Sequence, residues 1–300
     1  MLGSSRLAER IRISPVVVGV VVIGLGTSAP EFLVSGVAAA RGDTGLAVGN
    51  IAGSNILNLT LVLGIAALAG SVVVTSHVIR REVPLTVGAV VLFSFLAWAG
   101  LSPITGALLA VAGVCALFVL LRWAGQERNN EEVADEAAEF TQGRATVDVP
   151  VAPSTLPAWF EPVRAVLGLA GAQLLVANAS AIAAHLGEPQ VIIGFTLVAL
   201  GTSLPELVTT VQAQRRGESD LVVGNLFGSN LFNSLIGGAV VGFASGSATP
   251  GKAAVALSVT MILTAGLAWV LLRRGLTLTR VEALVLMAAY ALTMPLLLST

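Results

Sequence analysis

Two carboxylates lie where a carboxylate is costly. Glu31 and Glu206 each sit inside a long apolar run, four residues after a threonine and one after a proline. Four residues is about one helical turn, so Thr27 shares a face with Glu31 and Thr202 with Glu206. Within a hydrophobic span such a group normally faces a cavity or carries function. Neither run offers an obvious Lys or Arg partner, so protons or metal cations must neutralise the pair. The neighbours favour metal. Pro30 and Pro205 lack an N–H and crowd the preceding turn, which frees carbonyls around Gly24 to Thr27 and Ala199 to Thr202. Ser54 and Asn58 share one face of a following helix, as do Ser229 and Asn233. Gathered at one centre, these groups are all hard oxygen donors, the set that suits calcium or sodium, with no thiolate or imidazole for softer metals. Two carboxylates balance one divalent ion, or two to three monovalent ions with a small excess, so exchange between the two kinds is the natural chemistry.

The elements that position these groups are membrane helices. Of the 300 residues 55% are hydrophobic and 11% charged, with a mean hydropathy of +0.90, far from the composition of a soluble domain. A net charge of −1 excludes a nucleic-acid footprint. The single Cys115 excludes an intrachain disulfide and reads as a buried small hydrophobe. A helix crosses the bilayer core with about 20 apolar residues. Nine stretches qualify: 14–37, 47–70, 83–100, 104–123, 162–184, 190–212, 221–244, 252–272 and 281–298. Residues 124–161, rich in Glu and Asp, read as an acidic linker between a first half, 1–123, and a second half, 162–300. With the N-terminus inside, 14 basic residues fall on the inner side and two, Arg41 and Lys252, outside. That asymmetry predicts a cytoplasmic N-terminus and linker and an external C-terminus, in the plasma membrane.

Residues 19–64 align with 194–239 at a constant offset of 175 without a gap, giving 18 identities in 46 positions. The identities concentrate in Gly26-Thr27-Ser28 with Pro30-Glu31, and in Gly49-Asn50 with Gly53-Ser54-Asn55 and Asn58, each over its counterpart. The first copy begins on span one and the second on span six. An odd separation means that the copies cross in opposite directions, the arrangement on which many secondary transporters are built. The recurrence also rules out a cleaved signal peptide at the first copy. Gly49, Gly53, Gly224 and Gly228 read as points of close helix approach.

The two GTSxPE segments, each followed by GNxxGSNxxN, resemble the alpha-repeats of the sodium/calcium exchanger branch of the calcium/cation antiporter superfamily. The resemblance implies an all-α, inverted-repeat helical bundle. The family has ten helices, and here the first has no counterpart, which leaves nine. It further implies exchange of sodium for calcium by alternating access, with both ions as transported substrates and no organic cofactor. Glu31 and Glu206 would be the shared central ligands. Thr27, Ser28, Ser54, Thr202, Ser203 and Ser229 would supply further oxygens, Gly24 and Ala199 backbone carbonyls, and Asn58 and Asn233 the remainder of the middle site. In several relatives one of the last two is Asp; by resemblance, Asn233 goes with independence from potassium. The partners so implied are calcium, sodium and the lipid bilayer, with no nucleic acid and no required protein.

Two other readings stand beside this one. Two membrane carboxylates could carry protons, making a proton/calcium antiporter. A passive cation channel or a binding-only protein fits a bundle lacking one helix.

Overall fold

The computed structural model describes residues 24–74, 76–127, 160–246 and 252–298. Arg6, Arg10 and Arg12, the start of the first expected span and nearly all of the acidic linker lie outside them. The remainder is helical apart from turns and one two-stranded pairing. The helices are α1 (Gly24–Thr27), α2 (Ala29–Ala40), α3 (Thr44–Ala69), α4 (Ser76–Ala99), α5 (Pro103–Glu127), α6 (Phe160–Leu186), α7 (Gln190–Thr202), α8 (Leu204–Arg215), α9 (Ser219–Ala244), α10 (Lys252–Gly275) and α11 (Arg280–Leu298). Counting α1/α2 and α7/α8 as one passage each, nine helical passages stand at the nine stretches expected among the described residues. Five of them, α3, α4, α5, α9 and α10, are long and apolar enough to cross a membrane, and six if the bent pair α7/α8 is one span.

The repeat is visible in three dimensions as paired devices. Each carboxylate-bearing passage is interrupted one residue before the dipeptide that ends in proline: Ser28 (φ −81°, ψ 0°) separates α1 from α2, and Ser203 (φ −87°, ψ 7°) separates α7 from α8. The second break bends the passage by 47°. Pro30 and Pro205 explain both, because neither has an N–H to extend the helix backwards. Each half then turns at a left-handed glycine, Gly42 (φ +86°) or Gly217 (φ +75°). Asp43 N–H donates to Ala38 O and Glu218 N–H to Ala213 O, closing α2 and α8 with the same six-to-one bond. The long helices α3 and α9 that follow each contain one π-helical turn, Asn58–Val62 and Asn233–Gly237, both beginning at the asparagine of the motif. A third occupies Gly194–Val198 within α7. The sequence carried no signal for these wider turns, which are frequent at functional sites.

The two halves interlock. In α3, a Cβ on Gly49 would lie 2.3 Å from Val191 O, and one on Gly53 would lie 2.7 Å from Ala199 Cβ, so α7 rests directly on the α3 backbone. In the mirror contact, α1 packs on α9, with Gly24 against Gly228 and Ser229. At one end of the bundle β1 (Val72–Val73) pairs antiparallel with β2 (Thr277–Leu278), and Gln214 Nε2 donates to Gly70 O at 2.9 Å. At the other end Arg41 bonds Gln173, and Asp43 accepts hydrogen bonds from Ser180 (2.6 Å) and Gln190 (2.7 Å).

The exterior is apolar. Along α5, Ile104, Val111, Val114 and Phe118 are 61–75% exposed and form one stripe, as a helix bathed in lipid requires. Cys115 lies on the same helix and is exposed, which corrects its reading as buried: in a membrane helix an apolar run can face lipid.

Candidate ion-binding site

Both glutamates are fully buried, on the first turns of α2 and α8 immediately after the breaks. The positive end of each short helix dipole therefore lies beside the carboxylate. A serine from each break reaches across to the other repeat. Ser203 Oγ donates to Glu31 Oε1 at 3.1 Å, and Ser28 Oγ donates to Glu206 Oε1 at 3.5 Å. Glu31 Oε1 also accepts from Ser54 Oγ at 3.5 Å. Among the described residues no Lys or Arg bonds either carboxylate, and Glu31 Oε2 and Glu206 Oε2 are buried without any hydrogen-bond partner.

The other expected residues surround this pair. Thr27 Oγ1 lies 3.3 Å from Ser229 Oγ, joining the first break to α9. Thr202 Oγ1 donates instead to Asn50 Oδ1 at 3.1 Å, joining the second break to α3. Asn58 and Asn233 are fully buried at the starts of their π turns. Asn58 Nδ2 donates to Asn230 Oδ1 at 3.1 Å, whereas neither polar atom of Asn233 has a partner among the described residues. Gly24 O accepts the Ser28 N–H (3.1 Å) and the Thr27 hydroxyl (3.4 Å). Ala199 O accepts the Ser203 N–H (3.0 Å) and lies 3.3 Å from the Thr202 hydroxyl, whose one hydrogen is shared with the nearer Asn50 Oδ1. These two carbonyls are thus not bare. Ligation by them requires rotation of the adjacent threonine hydroxyl, and the prolines act one residue pair further on, leaving Gly26 O and Gly201 O without an i+4 donor.

Buried polar atoms are almost always hydrogen-bonded, so a concentration of orphans has to be explained. Four orphaned oxygens, Glu31 Oε2, Glu206 Oε2, Asn58 Oδ1 and Asn233 Oδ1, belong to the expected ligand set. An acceptor without a donor is what a cation would satisfy, and every candidate ligand here is oxygen. No cluster of three or more His, Cys, Asp or Glu occurs among the described residues, so the centre is not built like a transition-metal site.

Four further asparagines matter that the sequence placed in the motif without a role: Asn50, Asn55, Asn225 and Asn230. All are buried. Asn50 Nδ2 donates to Ser35 Oγ (2.9 Å) and Glu31 O (3.4 Å) while its Oδ1 receives Thr202, so one side chain ties α2, α3 and α7 together. Asn230 Nδ2 donates to Asn55 O at 2.8 Å, and Asn55 Nδ2 to Ser234 Oγ at 2.8 Å. Their signal was the repetition itself, since both copies keep an asparagine one residue after the first glycine of the motif and another immediately after the serine.

The chain is similar to known proteins in sequence and in fold. The profile of the family described as sodium/calcium exchanger protein matches residues 2–123 and 163–298. CaxA of Alkalimonas amylolytica is 39% identical over 238 residues, which cover 78% of this chain and 71% of that one. The sodium/calcium exchanger MaX1 of Methanosarcina acetivorans is 27% identical over 258 residues, covering 77% of this chain and 74% of its own. Among solved structures, the sodium-calcium exchanger NCX_Mj soaked with sodium and strontium superposes with a TM-score of 0.67 at 27% identity, across 98% of this chain and 90% of that one. The chain belongs to the sodium/calcium exchanger protein family and is an integral membrane cation/calcium antiporter, not an enzyme.

Proposed function

We propose that the counter-ion is sodium and that the protein exchanges it for calcium by alternating access. The observation that carries this reading is the buried pair Glu31 and Glu206, contributed by oppositely oriented repeats, without a basic partner among the described residues and ringed by hydroxyl and amide oxygens. The ligands are Glu31, Glu206, Thr27, Thr202, Ser28, Ser203, Ser54, Ser229, Asn58 and Asn233, with the carbonyls of Gly24 and Ala199. Two negative charges match one calcium and accept two or three sodium ions in its place, so the ions compete for one set of oxygens. Competition at a shared site is what couples their movements. MaX1 and NCX_Mj carry sodium and calcium in their names, which supports extending both ions to this chain.

The bundle end bearing exposed Arg80, Arg215, Arg216, Arg273, Arg274 and Arg280 is the cytoplasmic one, by the excess of basic residues there. The end bearing Arg41 faces outward, and the membrane is the plasma membrane. Residues 124–161 join the two halves on the cytoplasmic side.

The test is labelled calcium uptake into sodium-loaded liposomes containing the 300-residue chain. Uptake should follow an outward sodium gradient and vanish when external sodium equals internal. Uptake indifferent to sodium but abolished by a proton uncoupler would replace the reading with proton/calcium antiport. Flux without any counter-ion would make the protein a channel, and calcium binding without flux a binding-only protein.

A further inference from the structure

The two repeats share a sequence pattern but not a hydrogen-bond pattern. At the fixed offset of 175, each bond in one half defines a counterpart in the other. Thr202 Oγ1 donates to Asn50 Oδ1, so the counterpart is Thr27 to Asn225 Oδ1. That bond is absent: Thr27 has turned to Ser229, and Asn225 Oδ1 is buried without a partner among the described residues. Asn50 Nδ2 donates to Ser35; the equivalent acceptor, Thr210 Oγ1, is likewise a buried orphan, and Asn225 Nδ2 goes to Thr209 instead. Asn58 Nδ2 donates to Asn230 Oδ1, so the counterpart is Asn233 Nδ2 to Asn55 Oδ1. Here both atoms are orphans. Three times, then, a bond made in one half is matched by an unmade bond with a buried acceptor waiting in the other.

We propose that Asn50 and Asn225, together with Asn230 and Asn55, are positioning residues that select which way the site faces, by trading these hydrogen bonds between the two repeats. The inference rests on alternating access as read above, but not on which ion drives it. In one state Asn50 holds Thr202 and Asn230 holds Asn58, as observed. In the opposite state, related by interchange of the repeats, Asn225 holds Thr27, Asn55 holds Asn233, and Thr202 turns to Ser54. The number of bonds is conserved across the exchange, so neither state carries a lasting excess of orphaned groups. The choice between them is then open to bias by ions, because a buried acceptor left unmade is the costly alternative. The bonds Ser28 to Glu206 and Ser203 to Glu31 are made in both halves and do not change in the exchange.

The test uses Asn50→Ala, Asn225→Ala and the double variant in oriented liposomes, with the apparent calcium affinity read separately at the two faces. Asn50→Ala removes the bonds to Thr202, Ser35 and Glu31 O that Asn50 makes in the observed state and shifts the population away from it; Asn225→Ala removes the equivalent bonds of the opposite state and, in the observed one, only the bond to Thr209, so its net effect has the opposite sign. The ratio of the two affinities should move about two- to tenfold in opposite directions in the two single variants, the span that one net hydrogen bond sets. In the double variant it should return towards that of the unchanged chain. Damage to folding or to the ligands would not produce opposite signs or cancel. Single variants that shift the ratio the same way or not at all, or a double variant that compounds them, would overturn the proposal.

Hydrogen exchange of the purified chain gives a second measurement that needs no flux. Asn50→Ala should raise exchange over residues 199–206 and lower it over 24–31, with the reverse for Asn225→Ala. Absence of sodium-driven uptake by the unchanged chain would refute sodium coupling while this exchange pattern still tests the asparagines. Asn50→Ser and Asn225→Ser, too short to bridge the helices, replace the alanine variants if those do not accumulate folded.

Discussion

Glu31→Gln isolates charge from shape at the centre of the site. The substitution preserves side-chain volume and leaves an oxygen to accept the Ser203 and Ser54 hydroxyls, so the bonds across the break survive. What is lost is one of two negative charges in a region without a basic partner for either among the described residues. A unit charge pair at about 4 Å is worth about 4 kcal/mol at an effective dielectric near 20, and a divalent ion doubles that to about 8. If about half is returned because the protein no longer has to desolvate the charge, about 4 kcal/mol remains for calcium and about 2 for each sodium. At about 1.4 kcal/mol per decade, calcium affinity should fall roughly a thousandfold and sodium affinity roughly thirtyfold. The assay is equilibrium calcium binding to the detergent-purified variant, with thermal melting alongside to confirm the fold. Glu206→Gln should behave alike, since Glu206 occupies the equivalent position of the other repeat. A folded variant whose calcium affinity stays within tenfold of the unchanged chain would refute the carboxylate-centred reading.

Asn58 and Asn233 should separate stability from binding. Asn58→Ala leaves Asn230 Oδ1 without its donor and should cost about 1–3 kcal/mol in denaturant or thermal unfolding, whereas Asn233→Ala breaks no bond and should weaken ion binding with little change in melting. Gly49→Ala places a Cβ 2.3 Å from Val191 O and should destabilise by about 1–3 kcal/mol, while Gly26→Ala meets nothing within 4 Å and should melt near the unchanged chain; equal melting of the two would refute the close α3–α7 approach. Thr279→Ala removes the hydroxyl of a capping box, which accepts the Glu282 N–H at 3.4 Å and donates to Glu282 Oε2 at 2.9 Å, and should lower stability by about 1 kcal/mol without altering calcium uptake.

How much of this the sequence could hold depends on the kind of information involved. Glu31 and Glu206 were legible because charge in an apolar run is rare, and their equivalence because 18 of 46 aligned positions coincide. The breaks at Ser28 and Ser203 were legible in outline because a proline cannot donate; which carbonyls they bare was not, since that depends on where Thr27 and Thr202 turn. The π turns at Asn58 and Asn233 left no trace in the apolar pattern, because an extra residue per turn displaces a face without changing its composition. Least legible was the asymmetry. A repeated motif assigns Asn50 and Asn225 the same potential partners, yet only Asn50 holds the threonine across the interface. The reason is geometric. The two breaks enter one shared centre, where Thr202 reaches Asn50 while Thr27 lies against Ser229, so that Asn225 Oδ1 is left unfilled although both serine–glutamate bonds are made. Sequence symmetry therefore specifies the set of bonds the protein is able to form, and packing selects which of them are made in the structure. For an antiporter that division is the useful one: on the exchange proposed above, the repeated residues define two equivalent arrangements and transport is passage between them.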